Sequence, residues 1–417
     1  MRKDLVFASA ILGFWVALNA YRFWNEPALD LTGIFFASQF FDFGQYEHIY
    51  SSAQDRFIWR VPPDAWQQLA LSQGYPATDL SDYVYPPLWA AVFAPVAGAV
   101  SPFQFFNAFL IIGPGLFAIG VLAAWHLVGR PVSALIWACT TVVLLEFTTI
   151  GGLALSFFQP QLLVVGLLLI AFYLYDRGNF LPAAGIIALL ASIKLTPIVF
   201  ILIFVVDRRW KALGWFAIFG AALAALSIVL AGWPLHQEFL NKLDVLNDRI
   251  LFSRINVSLP AVISFFWLAV EGEADWQLLG YEWARFPPAM VMVGSVLNIL
   301  GLLVAAIIRM RNPDAPGLAM TILTLGLIST LLSPLGWLHY LIFVLAFAPG
   351  VFGFMAYPRS ILMLAAFVLI FGPVVYEYLF SQWVHYPMIY GTFWTFCLTL
   401  LVVVMGLRRD VRTSQGG

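Results

Sequence analysis

The feature that most constrains this chain is a succession of apolar stretches, most of them close to the roughly 20 residues a helix needs to cross a bilayer. The first runs from Leu5 to about Tyr21. Others lie near 103–128, 131–150, 161–175, 179–193, 195–206, 212–231, 287–308, 316–332, 338–356, 361–380 and 387–407. Together they predict an all-α polytopic membrane protein with about twelve transmembrane helices. Composition agrees, since 62% of the 417 residues are hydrophobic and only 10% charged, a balance that excludes a water-soluble domain of this length. Residues 1–417 read as one transmembrane domain. The first stretch lacks a small-x-small cleavage site and passes directly into Arg22-Phe23-Trp24, which predicts a retained helix rather than a signal peptide. Cys139 and Cys397 sit inside apolar stretches and read as small core hydrophobes.

The basic residues orient the chain. Arg2, Lys3, Arg130, Arg177, Arg208, Arg209, Lys211, Arg309, Arg311, Arg359, Arg408, Arg409 and Arg412 fall on one side, 13 of the 21 lysines and arginines. The positive-inside rule makes that side the cytoplasm, with both termini on it. Only Asp4, Asp176, Asp207, Asp314 and Asp410 accompany them, so 17 of the 22 acids fall elsewhere. Two long segments, 22–86 and 232–286, then share the outer face, and loops of such length between spans are usually functional. Segment 22–86 carries the polar clusters Asp55-Arg56, Pro62-Pro63-Asp64 and Asp79-Leu80-Ser81-Asp82, and it ends at Tyr83-Val84-Tyr85-Pro86-Pro87-Leu88, whose prolines suit the first turn of a helix.

Within this frame a few polar side chains interrupt the apolar pattern. Asp42 lies among aromatics in Phe40-Phe41-Asp42-Phe43-Gly44-Gln45-Tyr46. Desolvation there raises a carboxyl pKa toward the range of a general base, although an acid in such a segment is more often solvated surface. Lys194 breaks a long apolar stretch in Ser192-Ile193-Lys194-Leu195-Thr196-Pro197, where a charge costs roughly 3 kcal/mol on insertion scales and so calls for a partner or a function. Gln159 and Gln161 bracket Pro160 at a turn between two spans, and His339 stands at the mouth of another in Ser333-Pro334-Leu335-Gly336-Trp337-Leu338-His339-Tyr340. Amides capping helix ends and a hydrogen-bonded histidine are the plainer readings of these two. All four stretches come to one rim. Acid, lysine, amides and imidazole together there can hold an anionic phosphate beside a general base. No glycine-rich phosphate loop, HExxH or CxxC array occurs, and the acids form no metal cluster.

Taken in order, Asp42-Phe43-x-x-Tyr46, Tyr85-Pro86-Pro87-Leu88, the Gln-x-Gln turn at 159–161, Lys194-Leu195-Thr196-Pro197, Asn256-Val257-Ser258-Leu259 and Ser333-Pro334-x-x-Trp337-x-His339-Tyr340 resemble the landmarks of glycosyltransferase family 87. That family contains polyprenol-phosphate-mannose-dependent mannosyltransferases of the GT-C fold. The resemblance spans positions 42–340. It implies a GT-C-type bundle with two long extracytoplasmic loops, Asp42 as the catalytic aspartate of the first, and Lys194 and His339 on the donor phosphate. One departure is the turn that usually reads Gly-Gln-x-Asn and here reads Phe158-Gln159-Pro160-Gln161.

The function so implied is inverting transfer of a sugar, mannose or another hexose, from a polyprenyl-phosphate donor to an extracytoplasmic glycolipid or glycan. Asp42 takes the acceptor proton, while Lys194, His339, Arg249 and Arg254 stabilise the departing phosphate, so no metal or cofactor is expected. Tyr46, Tyr83, Tyr85, Gln159, Gln161, Asn256 and Trp337 are the candidate sugar and acceptor contacts, although Tyr and Trp also gather at membrane interfaces for their own sake. Expected partners are membrane lipids, the lipid-linked donor and the acceptor, with no nucleic acid. The expected location is the inner membrane, with the active site on its extracytoplasmic face. The main rival is a lipid or sugar transporter or flippase, against which stands the lack of an internal repeat. Another GT-C or ligase-type envelope glycan enzyme is the second.

Overall fold

The computed structural model describes residues 2–51 and 61–409. Asp55, Arg56, Asp410 and Arg412, named above from the sequence, lie outside the described residues. The chain forms α1 (Arg2–Arg22), α2 (Leu29–Asp42), α3 (Asp64–Ser72), α4 (Pro87–Ala97), α5 (Pro102–Leu127), α6 (Ala134–Phe147), α7 (Thr149–Ser156), α8 (Gln161–Asp176), α9 (Phe180–Ile193), α10 (Ile201–Val206) and α11 (Trp210–Asp248). There follow β1 (Arg249–Phe252), α12 (Leu259–Val270), β2 (Glu282–Arg285), α13 (Pro288–Arg311), α14 (Ala315–Leu332), α15 (Ile342–Phe347), α16 (Tyr357–Ile370), α17 (Pro373–Phe380) and α18 (His385–Arg408).

Among the described residues seven helical segments are long and apolar enough to cross a membrane, or eight if α6 and α7, bent by 76°, form one broken span. This is a multi-pass membrane protein, but not one of twelve regular spans. The expected spans at 161–175, 179–193, 195–206 and 338–356 are shorter apolar helices or strings of 3-10 and α turns. Two of the interruptions have the same cause: Pro197 and Pro349 each occupy the start of a 3-10 segment, where a ring without an N–H is tolerated but a continuous α-helix is not. Broken helices at membrane depth persist only where protein or a cavity takes up the freed backbone groups.

The largest core joins α1, α5, α6, α8, α9, α14 and α15. α5 opens with a capping box in which the Ser101 hydroxyl accepts from the Gln104 N–H at 3.3 Å and the Gln104 side chain accepts from the Ser101 N–H at 2.9 Å. Where α5 crosses α8 the backbones touch: a Cβ at Gly166 would stand 2.5 Å from Leu116 backbone atoms. Small residues allow such crossings, which is how helices pack without a hydrophobic driving force between them.

The described parts of the two long segments, 22–86 and 232–286, contain regular helices and strands. Segment 22–86 contains α2 and α3, and α2 is buried from Leu31 to Phe40. Phe35, Phe36 and Phe40 of α2 form one aromatic core with Trp66, Tyr75, Phe105 and Phe106. In segment 232–286, α11 continues past a kink at Gly232 (φ 72°) as far as Asp248. β1 and β2 then pair antiparallel, with Ile250 opposite Ala284 and Leu251 opposite Trp283.

Candidate active site

A cavity of about 440 Å³ opens between segments 22–86 and 232–286 and the breaks in the helices. Asp30, Asp82, Tyr85, Gln159, Lys194, Trp337, His339 and Tyr340 line it. Three of them come from helix ends and the turns between helices. Asp30 stands in the first turn of α2, its N–H donating to the Phe157 carbonyl at 3.2 Å. Gln159 follows Phe158, a non-glycine residue at φ 52° that reverses the chain between α7 and α8. Lys194 is the extended residue ending α9 (φ −135°, ψ 138°), and the carbonyl of Ser192 just before it accepts from the Trp89 indole at 2.6 Å.

The turn carrying Trp337 and His339 is held by Asn256. Its Nδ2 donates to the carbonyls of Leu251 (2.8 Å) and Pro334 (3.1 Å), and its Oδ1 accepts from the N–H groups of Ser258 (3.2 Å) and Gly336 (3.0 Å). Asn256 also pairs with Trp337 in an isolated β-bridge. A buried amide with its groups so engaged positions the loop, and it is not free to bind a sugar as the sequence suggested.

The charged groups at the cavity are incompletely matched. The Lys194 ammonium donates to Gln161 Oε1 at 3.2 Å and lies 4.7 Å from the centre of the Tyr340 ring. Burial pushes the Asp30 carboxyl up to about 7, against the opposing pull of Lys194. α2 lies outside the membrane-length helices. His339 is 3% exposed, stacked beside Trp337 and edge-on to Tyr340, and neither ring nitrogen has a hydrogen-bond partner among the described residues. Buried polar atoms are nearly always hydrogen-bonded. An imidazole with both nitrogens open at a cavity wall is therefore suited to a polar ligand.

Of the residues singled out from sequence, the fold brings Lys194, His339, Tyr85, Gln159 and Trp337 to the cavity, with Gln161 behind Lys194 in an adjoining crevice. It does not bring the others. Asp42 is exposed at the last turn of α2, its carboxylate beside Gly98, and twelve helical residues put it about 18 Å along the axis from Asp30. Tyr46 is 47% exposed against Phe41. The Tyr83 hydroxyl is engaged in the core, donating to the Pro86 carbonyl at 2.6 Å and accepting from the Ala90 N–H at 2.9 Å. Arg249 opens β1, and Arg254 turns away to the Gln382 carbonyl (3.2 Å) while its neighbours Ser253 and Ile255 face the cavity.

Asp30, Asp82 and Tyr340 line the cavity but were assigned no role from the sequence. The signal for Asp30 was present: an acid directly before the apolar stretch Leu31–Phe41 marks a helix start, where the macrodipole favours a carboxylate. Among the described residues no three of His, Cys, Asp or Glu gather as metal ligands do.

No curated protein matches the chain. A family model does: it covers residues 83–334, more than half of the 417, and so takes in Tyr85, Gln159, Lys194 and Asn256. The chain belongs to glycosyltransferase family 87.

Proposed function

We propose that this membrane glycosyltransferase moves a hexose, mannose being the first candidate, from a polyprenyl-phosphate donor to a glycolipid or glycan on the extracytoplasmic side, with inversion. The observation that carries this reading is the meeting of Asp30, Lys194 and His339 on one cavity. Asp30, not Asp42, is then the base. Its raised pKa suits proton abstraction near neutral pH, because an efficient general base titrates close to the working pH.

In the proposed step the acceptor oxygen attacks the anomeric carbon from the face opposite the phosphate, and its proton passes to Asp30. The bond from that carbon to the phosphate oxygen breaks with its electron pair staying on oxygen. The donor phosphodiester, a monoanion, departs as a polyprenyl phosphate dianion. Lys194 and His339 stand where this added charge develops, and fixed donors aimed at developing charge are usually the largest single contribution to such catalysis. Trp337 and Tyr85 offer flat apolar faces for the sugar. The orientation rests on the basic residues collected on the opposite side.

Transfer of radiolabelled sugar, measured on protein purified in detergent, tests the reading. A polyprenyl-phosphate hexose should be consumed with excess chelator present, and a nucleotide sugar should not. Transfer that requires a divalent metal, or that proceeds from the nucleotide sugar alone, would overturn the assignment of Lys194 and His339.

A further inference from the structure

The outer half of α11 carries one buried lysine on a helix that is otherwise largely exposed. Among the described side chains beyond the Gly232 kink, Leu235, Phe239 and Lys242 are the buried ones. Their i, i+4, i+7 spacing places them on one face. That face packs on the first outer segment: Leu235 joins the aromatic core of α2, Phe239 lies 5.8 Å from the Tyr50 ring, and Lys242 Nζ reaches Asp82 Oδ2 at 3.2 Å. Both charged side chains of this pair are at most 3% exposed.

Asp82 is in turn tied to the helix that carries Asp30. The Ser81 N–H donates to the Thr32 hydroxyl at 2.8 Å, and that hydroxyl donates to the Leu29 carbonyl at 2.6 Å, one residue from Asp30. The Asp82 carbonyl lies so close to Gly33 that a Cβ there would come within 2.5 Å of it. A buried ion pair gains little stability over an apolar pair of the same shape, and the best-attested use of such pairs is to fix one packing register. Here the register joins the second outer segment to the first turn of α2.

We propose that Lys242 is a positioning residue for the transfer reaction. It acts through Asp82 and the Ser81–Thr32 bond to hold Asp30 at the distance from Lys194 and His339 that the reaction needs. The inference rests on Asp30 being the base. The pair gates no chemistry itself. It sets geometry, and a misplacement of about 1 Å at a reacting group can cost on the order of a hundredfold in rate.

The test uses the full-length protein in detergent with a polyprenyl-phosphate hexose as donor, recording kcat and donor KM separately. Lys242→Gln, which keeps a hydrogen-bonding group beside Asp82, should lower kcat by roughly 10- to 100-fold with donor KM changed less than about threefold. Lys242→Arg should recover much of that loss. Asp82→Asn/Lys242→Gln should be no worse than the poorer single variant, because groups acting as one unit do not add. Unchanged kcat in Lys242→Gln, losses that multiply in the double variant, or a rise in KM alone would overturn the proposal. If Lys242→Gln does not fold, the Arg variant decides: a residual kcat loss of about threefold or more with donor KM held supports the proposal, and an unchanged kcat or a rise in KM alone overturns it. Failure of both overturns the proposal in favour of a purely structural pair. Asp30→Asn is run alongside. If it remains active, the base assignment has failed; if it is inactive while Lys242→Gln keeps its kcat, only the positioning inference has failed.

Discussion

The two ends of α14 carry polar groups in opposite states. At its start the Asp314 side chain caps the helix through the Gly317 N–H at 3.1 Å and meets Arg409 through two contacts of 2.6 Å. Nearby Arg309 grips Asp207 through two contacts of 2.8 Å, and the Tyr175 hydroxyl donates to the same carboxylate at 2.7 Å. Each of these four charged groups has a partner of opposite sign. At the other end, past Ser333, the cavity holds Asp30, Lys194 and His339, with both imidazole nitrogens open. Both ends are rich in ionisable groups, so charge alone does not mark a site. What distinguishes the cavity is open polar capacity where a ligand can enter: His339 keeps both ring nitrogens unpartnered at a cavity wall, whereas buried polar groups are nearly always hydrogen-bonded.

The sharpest way to break this contrast is Asp30→Asn. Turnover should fall by roughly 10² to 10⁴, the usual worth of a positioned general base, with folding intact. Near-normal transfer in a folded Asp30→Asn protein would remove the base from the cavity. Next in size, Lys194→Ala and His339→Ala should each weaken use of the lipid donor by about 2 to 4 kcal/mol, read from kcat/KM. Lys194→Arg should restore little of it, since a planar fork does not replace a compact ammonium beside Gln161 and Tyr340.

The paired end should respond in the other currency. Arg309→Met leaves the Asp207 carboxylate without its bidentate partner and should cost about 3 kcal/mol of stability, seen as a lower melting temperature in detergent. Activity per folded molecule should be retained, and a selective loss of turnover would show that the two ends are coupled. Smallest of all, Asp42→Asn should change turnover by less than about twofold, as surface substitutions away from special features do. A large loss there would return the catalytic assignment to the far end of α2.

Much of this was legible in the sequence, and the misses have physical causes. The apolar stretches located the helices because membrane helices are written in runs of hydrophobic residues. They overstated the number of full spans because composition does not reveal where Pro197 and Pro349 turn an apolar run into 3-10 segments. Lys194 and His339 were conspicuous as polar interruptions of apolar runs, and the fold places both at the cavity. Asp30 was overlooked for the opposite reason, since an acid in a first helical turn is commonplace and segment 22–86 read as a loop. Asn256 lay within a recognisable motif, but nothing in a linear sequence says that its amide is consumed by the backbone of Leu251, Pro334, Ser258 and Gly336. The Lys242–Asp82 pair joins positions 160 residues apart, beyond the reach of any local pattern.

In the proposed reaction a carboxylate held at this cavity, its pKa pushed up to about 7, takes the acceptor's proton. The most direct test of this step is the single-turnover rate of sugar transfer from a polyprenyl-phosphate hexose, followed from pH 5 to pH 9. Only the deprotonated carboxylate can act as base, so the rate should rise about tenfold per unit at low pH and level off above about 7. A rate flat down to pH 5 would contradict it.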